Sequence, residues 1–340
     1  MSEDTSFSAP ERPILNLPFS RAVVDRAAHL RMDEVELEKL WNRARIIHFA
    51  SGKFRVVAQE VRRAIEADGT AQRNQLADKL EFLTGAQVAD LSQLDEFSNG
   101  DRFFLGMDGE QPYFAWSAEV MDIDQFEQYQ TLRDVGGDLS DLEIGLAVHA
   151  QALANWHAKH PRCSLCGAPT KPALGGSVRR CTTDETEHYP RNDPAIIVLI
   201  KDKRDRILLG RQKVWPPMRF STFAGFVEPG ESFEQCVIRE VQEEAGIHVT
   251  EIRYLGSQPW PFPASLMIAF EAVTEEPDHA RPDGQEIEEI QWLTRDELRH
   301  AVHNKTLLLP PRISVARQMI EAWYGVNAKR DLSGGEVWRS

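Results

Sequence analysis

The chain's 340 residues suffice for about two domains, each with its own core, while a net charge of −14 weighs against a protein that coats nucleic-acid backbones. That balance leaves room for an enzyme that grips only a nucleic-acid end. Four cysteines at this length exclude a disulfide scaffold and turn attention to local metal binding. No apolar run approaches the ~20 residues that span a bilayer, and the first residues carry no basic-then-apolar leader, so cytoplasm is the expected compartment.

In chain order, residues 1–20 are polar and proline-bearing and read as a loose lead-in. Met32 to Trp41 and Val57 to Ile65 read as helical or mixed segments. Phe103 to Met107, Asp108-Gly109 and Tyr113 to Trp116 predict strand, turn and strand. Ser140-Asp141-Leu142-Glu143 is a capping-box pattern opening a helix to about Lys159, with Leu142, Leu146, Leu153 and Trp156 along one side. His149 and His157 lie in or near that stripe and read as packing or hydrogen-bonding residues. A cysteine-bearing module occupies residues 161–192. Ala195 to Ile200 and Ile207 to Arg211 predict buried strands about a charged turn. Further strands are expected near Ser265 to Val273 and Ile287 to Leu293, then a helix capped by Thr294 and a last helix from about Arg312 to Trp323. Strands mixed with a few helices, without strict alternation, suggest a mixed sheet between helices.

Between those strands stands the most informative stretch. Gly225-Phe226-Val227-Glu228-Pro229-Gly230-Glu231 is followed by Arg239-Glu240-Val241-Gln242-Glu243-Glu244-Ala245-Gly246-Ile247. On a helix Glu240 and Glu244 are one turn apart, with Glu243 on a neighbouring row. Like charges so placed cost a helix roughly 0.2–0.5 kcal/mol per pair. Gathering hard oxygen ligands for Mg²⁺ or Mn²⁺ gives that cost a purpose. A solvated acidic face is the plain alternative, but the full pattern, Gly-x5-Glu-x7-Arg-Glu-aliphatic-x-Glu-Glu-x-Gly-aliphatic, is met throughout. It resembles the Nudix box, the signature of hydrolases acting on nucleoside diphosphates linked to another moiety.

Downstream, Ser257-Gln258-Pro259-Trp260-Pro261-Phe262-Pro263-Ala264-Ser265 alternates prolines with flat aromatics. Such a loop could wall a planar base; it could equally be a proline-rich edge whose aromatics fill a core. It resembles the SQPWPFPxS array of the NADH pyrophosphatase (NudC-type) branch of the Nudix superfamily. The resemblance implies an α+β protein: a Nudix fold, with a mixed sheet sandwiched between helices, preceded by a degenerate zinc ribbon and an α+β N-terminal domain. The expected division is 1–160, the ribbon at 161–192, the Nudix domain at 193–326 and a tail at 327–340.

The resemblance also implies roles. Glu240, Glu243 and Glu244, with the Ala224 carbonyl and Glu286, would hold Mg²⁺ or Mn²⁺, though a slip from Glu286 to Glu288 or Glu289 stays open. Arg239 would pair with a box glutamate and orient it. Tyr189, Phe226, Ala316 and Gln258, Pro259, Trp260, Pro261, Phe262, Pro263, Ala264 and Ser265 would bind substrate. The implied reaction is hydrolysis of the pyrophosphate bond of NAD(H) to AMP and nicotinamide mononucleotide, with the NAD cap of RNA 5′ ends as a second substrate. Glu243, Glu240 or a carboxylate outside the box would serve as general base. A homodimer is expected, from the family's tyrosine at the Tyr189 position. The rival readings are a Nudix hydrolase of ADP-ribose or another nucleoside diphosphate derivative, and a non-catalytic NAD-binding regulator.

Cys163-Ser164-Leu165-Cys166 is a CxxC knuckle with Cys181 following, but residue 184, where a second CxxC would end, is Asp184. The fourth vertex of a zinc site is then Asp184 or His188, or the ribbon holds by packing with no metal. Cys236, inside the box helix, reads as a small buried hydrophobe.

Overall fold

The computed structural model describes residues 15–57, 79–98 and 100–334; of the expected segment Val57 to Ile65, residues 58–65 lie outside them. The described residues form two compact units, one of residues 15–17, 194–258 and 267–334, the other of residues 18–193 and 259–266.

The second unit holds a six-stranded sheet of β1 (Arg45–Ala50), β2 (Lys53–Arg55), β3 (Phe82–Leu83), β4 (Asp101–Asp108), β5 (Gln111–Ser117) and β6 (Tyr129–Thr131), in the order β4-β5-β1-β2-β6 with β3 on β1. The predicted strand–turn–strand is β4 and β5, antiparallel, with a register shift between Phe104 and Gly106. Helices α1 (Glu34–Trp41), α2 (Gly85–Leu91) and α3 (Leu132–Val135) flank it. The long helix α4 (Asp141–Lys159) starts on a complete capping box, Ser140 accepting from the Glu143 N–H while Glu143 accepts from the Ser140 N–H. Its His157 is buried, Nε2 facing the Gly176 carbonyl at 2.8 Å and Nδ1 facing Arg179 Nη1 at 2.7 Å. The cysteine module is a three-stranded sheet of β7 (Thr170–Ala173), β8 (Val178–Cys181) and β9 (Glu187–His188).

In the first unit the sheet order is β13 (Thr250–Trp260), β14 (Ser265–Thr274), β10 (Asp193–Asp202), β11 (Ile207–Gln212), β15 (Ile287–Leu293), with β12 (Phe223–Phe226) on β10. β10 is antiparallel to β11 and β12, and β11 to β15. Helices α5 (Phe233–Ala245), α6 (Arg295–His303), α7 (Val315–Tyr324) and α8 (Ala328–Asp331) complete it. Its core joins Ile197, Leu199, Ile207 and Leu209 to Ala316, Met319, Ile320 and Trp323 of α7. Ala328 and Leu332 are buried in that same core.

Three expectations change. The lead-in is packed from residue 15: Leu15 and Leu17 join the first unit's core, and Phe19 is 1% exposed. Alternating apolar residues between prolines hid that packing. The helix expected from about Arg312 starts at Val315, because Ser314 takes the N-cap and accepts from the Arg317 N–H, and it is not the last, since α8 follows it. The array does not stay a loop: Ser257 to Trp260 end β13, and Ser265 opens β14.

Candidate active site

The box assembles from a strand, a loop and a helix of the first unit. Phe223–Phe226 pairs with β10 in the register Ile196 opposite Gly225 and Ile197 opposite Ala224. Gly230, at φ 89°, turns the chain towards α5. Ser232 caps that helix in a second capping box with Gln235. Gly246 ends it at φ 67°, its N–H donating to the Gln242 carbonyl. Along α5 the residues Cys236, Glu240 and Glu244 follow one another at helical four-residue spacing. Cys236 is fully buried and Glu244 is 4% exposed.

Glu244 is the anomaly of the site. Its Oε2 is buried with no hydrogen-bond partner, in a position where an unpaired carboxylate is expensive. Burial, then the charges of Glu240, Glu286, Asp283 and Glu243, push its pKa up to about 8. Burial likewise raises Glu240, against the hydrogen bond from Arg239. Gly225 lets the two elements meet: a Cβ there would lie 1.8 Å from the Glu240 carboxyl carbon. An orphaned buried carboxylate oxygen, a second carboxylate fitted against bare backbone and a third whose charge acts on both are hard oxygen donors of the type a divalent cation takes. Glu286 is that third; Glu288 and Glu289 pair with Arg211 instead. Ala224 lies beside Gly225 on β12, and Glu243 is exposed.

Arg239 organises the remaining carboxylates. It donates through Nε to Glu231 Oε1 at 2.8 Å and through Nη2 to Glu231 Oε2 at 2.9 Å, a two-point clamp. Nη1 reaches Glu240 Oε1 at 2.8 Å and Glu243 Oε2 at 3.0 Å, and Nη2 also reaches the Phe226 carbonyl at 3.0 Å. The hydrogen bond from Arg239 holds Glu231 down at about 2. Sequence reasoning missed Glu231 as this anchor, although its fixed place in the motif was the signal. Glu231→Gln is expected to keep the fold and lower kcat roughly 10–100-fold, the range of support-shell changes; matched melting curves and initial rates check it.

The other predicted residues fall in different surroundings. Phe226 is 60% exposed at the end of β12. Gln258 is fully buried and donates through Nε2 to the Ile313 carbonyl at 2.9 Å, and Ala316 is in the core. In the second unit Trp260 stacks on Phe19 with centroids 5.6 Å apart and meets Phe262 edge-on at 4.9 Å. The Arg133 guanidinium lies over the Phe262 ring at 4.0 Å. Pro261 offers its carbonyl to Gln151 Nε2 and Asn155 Nδ2, and Asn155 Nδ2 also reaches the Pro263 carbonyl. The Ala264 carbonyl accepts from the Asp193 N–H. Pro259 and Ser265 are half-buried. The aromatics of the array are thus partly spent on packing. Tyr189 is 67% exposed, its hydroxyl donating to Glu187.

In the ribbon, one donor atom each from Cys163, Cys166, Cys181 and Asp184 lie within 4.8 Å of one another. Main-chain N–H groups of Leu165 and Thr183 point at the sulfurs of Cys163 and Cys181. Three thiols and a carboxylate so gathered fit a four-coordinate zinc ion. His188 is outside that set of four, with Nε2 buried, although its side chain faces the Cys163 thiol and, after the Cys166 N–H, helps to lower it. Cys236 stands apart, its thiol pushed up to about 12 by burial.

Residues 191–311 match the NUDIX domain model, and residues 158–189 match the NADH pyrophosphatase zinc ribbon domain. The chain is 37% identical over 332 residues to the NAD-capped RNA hydrolase NudC of Mycobacterium bovis, covering 94% of this chain and 98% of that protein. The chain belongs to the NudC-type Nudix hydrolases. It is an enzyme of that class, with the α+β architecture the family implies. This Nudix hydrolase is also 37% identical over 201 residues to the NAD-capped RNA hydrolase NUDT12 of Macaca fascicularis, covering 56% of this chain and 43% of that one. Among solved structures, a NUDIX hydrolase from Nitrosomonas europaea aligns at 25% identity and TM-score 0.35, over 40% of this chain and 78% of that one. No helix among the described residues is long and apolar enough to cross a membrane.

Proposed function

We infer that this Nudix hydrolase cleaves the pyrophosphate bond of NAD(H), releasing AMP and nicotinamide mononucleotide, and removes the NAD cap from RNA 5′ ends. The observation that carries the reading is the likeness, along nearly the whole of both chains, to a protein named for hydrolysing NAD-capped RNA. Water adds to one phosphorus, the bridging P–O bond breaks, and each product leaves with a terminal phosphate. Mg²⁺ or Mn²⁺ held by Glu240, Glu243, Glu244, Glu286 and the Ala224 carbonyl would neutralise phosphate oxygens and activate that water. Arg239, clamped on Glu231, holds Glu240 and Glu243 in place before substrate arrives. Tyr189, Phe226, Ala316 and the array from Gln258 to Ser265 are proposed to receive the dinucleotide. The proposal keeps the domain division expected from the sequence, a cytoplasmic enzyme and a homodimer; a monomeric mass in solution would remove the last.

The test offers NADH, NAD⁺, ADP-ribose and NAD-capped RNA in parallel, with Mg²⁺ or Mn²⁺. AMP with reduced nicotinamide mononucleotide from NADH, and 5′-monophosphate RNA from the capped transcript, are the expected products. Turnover of ADP-ribose alone would sink the assignment. For the ribbon we propose zinc on Cys163, Cys166, Cys181 and Asp184. Asp184→Ala is then expected to release zinc to a chromophoric chelator at least about tenfold faster, whereas His188→Gln changes the rate little. The reverse order would give His188 the fourth vertex.

A further inference from the structure

From Pro259 onwards the proline-aromatic array belongs to the second unit, as does α4, and its backbone poses a hydrogen-bonding problem. Pro259, Pro261 and Pro263 have no N–H to give to a ladder, yet each residue keeps a carbonyl that needs a donor once it leaves water. The turn between β13 and β14 meets that need piecemeal. The Trp260 carbonyl accepts from the Phe262 N–H at 2.7 Å and the Ala264 carbonyl from the Asp193 N–H at 2.8 Å. The carbonyls of Pro261 and Pro263 are met by side chains of α4. Gln151 and Asn155 stand one helical turn apart, hence on one face of that helix. Gln151 Nε2 donates to the Pro261 carbonyl at 2.9 Å, and Asn155 Nδ2 donates to Pro261 at 3.0 Å and to Pro263 at 3.1 Å. A planar amide NH₂ carries two N–H groups, so one asparagine spans both carbonyls.

Gln151 makes its bond at a cost. It is 4% exposed, and its Oε1 is buried with no hydrogen-bond partner among the described residues. A buried acceptor left unmet is unfavourable, and an apolar side chain of similar shape would avoid the penalty. Filling the core therefore does not account for an amide at this position; what the amide adds is the donor on Pro261. The helix that carries both side chains is itself anchored: besides closing the capping box, the Glu143 carboxylate accepts from the Lys79 and Leu80 N–H groups at 2.6 and 2.7 Å. Trp260 and Phe262, on either side of Pro261, are half-buried. The grip on the carbonyls thus fixes the segment whose rings the proposed function offers to the dinucleotide.

We propose that Gln151 and Asn155 are positioning residues for the dinucleotide: by holding the Pro261 and Pro263 carbonyls they set the placement of Trp260 and Phe262, and with it the affinity for NAD(H). The inference rests on the substrate role proposed for the array. It gives the N-terminal half of the chain a part in substrate selection through α4, with no contact between these two side chains and the substrate. Rings held in this way bind ground state and transition state alike, so loosening them raises KM and leaves kcat in place.

The experiment is steady-state kinetics of the full-length protein on NADH with Mn²⁺, alongside a melting curve for each variant. Asn155→Asp keeps the size of the side chain but turns oxygen towards two carbonyl oxygens. Asn155→Ala removes the side chain and, at this half-buried position, lets water reach the carbonyls. KM is expected to rise at least about tenfold in Asn155→Asp and by less in Asn155→Ala, with kcat within about twofold of wild type in both. Gln151→Leu is the second variant. It deletes the unmet acceptor together with the donor, so its melting temperature should equal or exceed that of wild type while KM still rises about threefold or more. A purely structural role would tie any loss of affinity to a loss of stability. Unchanged KM in Asn155→Asp and Gln151→Leu would overturn the inference, as would a fall in kcat at constant KM, or Asn155→Ala matching Asn155→Asp. In each of those cases wild-type turnover of NADH leaves the proposed function standing; a wild type that does not hydrolyse NADH would overturn both.

Discussion

Glu244→Gln is expected to do two opposite things: remove turnover and stabilise the protein in the absence of added divalent cation. The first follows from losing a carboxylate among the proposed cation ligands. Charge stabilisation of several kcal/mol at the reacting phosphate corresponds to a fall in kcat of about 10³-fold or more. The second follows from burial. Glu244 is 4% exposed, its Oε2 has no partner, and the charges that act on it are all carboxylates. Glutamine keeps the shape and removes the charge.

The sign of the pH dependence follows from the same residue. An ordinary glutamate titrates near 4.5, and in the folded protein burial and like charges raise Glu244 to about 8. Between those values the folded state holds a proton that the unfolded chain has released. Stability of the cation-free protein therefore falls as pH rises from about 4.5 to about 8, and the full loss, on the order of a few kcal/mol, stands above that window. Glu244→Gln should flatten the fall, and Mg²⁺ or Mn²⁺ should raise the melting temperature of the wild type at pH 8 and not that of the variant. Calorimetric scans from pH 5 to 9 measure this directly. Parallel melting curves for the two proteins would mean that Glu244 is neither strained nor a cation ligand.

What could be read beforehand was whatever depends on local spacing. The four-residue step from Glu240 to Glu244, the caps at Ser140 and Thr294 and the strands around 195–211 each need only neighbours in sequence, and each stands where expected. What escaped depends on partners far along the chain. Nothing near Trp260 announces Phe19 as its stacking partner, and nothing near Phe262 announces Arg133. β13 was missed because its first five residues are mostly exposed and show no alternation, and β12 because four residues around a glycine carry too little pattern. The clamp of Glu231 on Arg239 crosses from loop to helix, so the motif fixes its residues without telling their bond. Glu286, Glu288 and Glu289 illustrate the intermediate case: alike in the sequence, they differ in surroundings, Glu288 and Glu289 pairing with Arg211 while the charge of Glu286 acts on Glu240 and Glu244.

Gly225→Ala tests the backbone half of the site without touching a carboxylate. A methyl group at 225 would stand 1.8 Å from Glu240 Cδ and 1.9 and 2.3 Å from its two oxygens, so one side must yield. Gly225 is held in register against Ile196, and Glu240 is held by Arg239 Nη1 at 2.8 Å. The flexible partner is the side chain, and the displacement needed is about the size that costs 10²-fold in rate. We expect kcat to fall roughly 10²–10³-fold with a stability cost of about 1–3 kcal/mol, the usual range for overpacking. Gly230→Ala is the contrast. Its φ of 89° strains an alanine by roughly 1–2 kcal/mol, yet nothing lies within 4 Å of the added carbon. Similar stability losses with a large rate loss only at 225 would place the Glu240 carboxylate at the reacting centre. Full activity in Gly225→Ala would mean that the position of Glu240 does not govern the rate, and the proposed roles of its neighbours on α5 would fall with it.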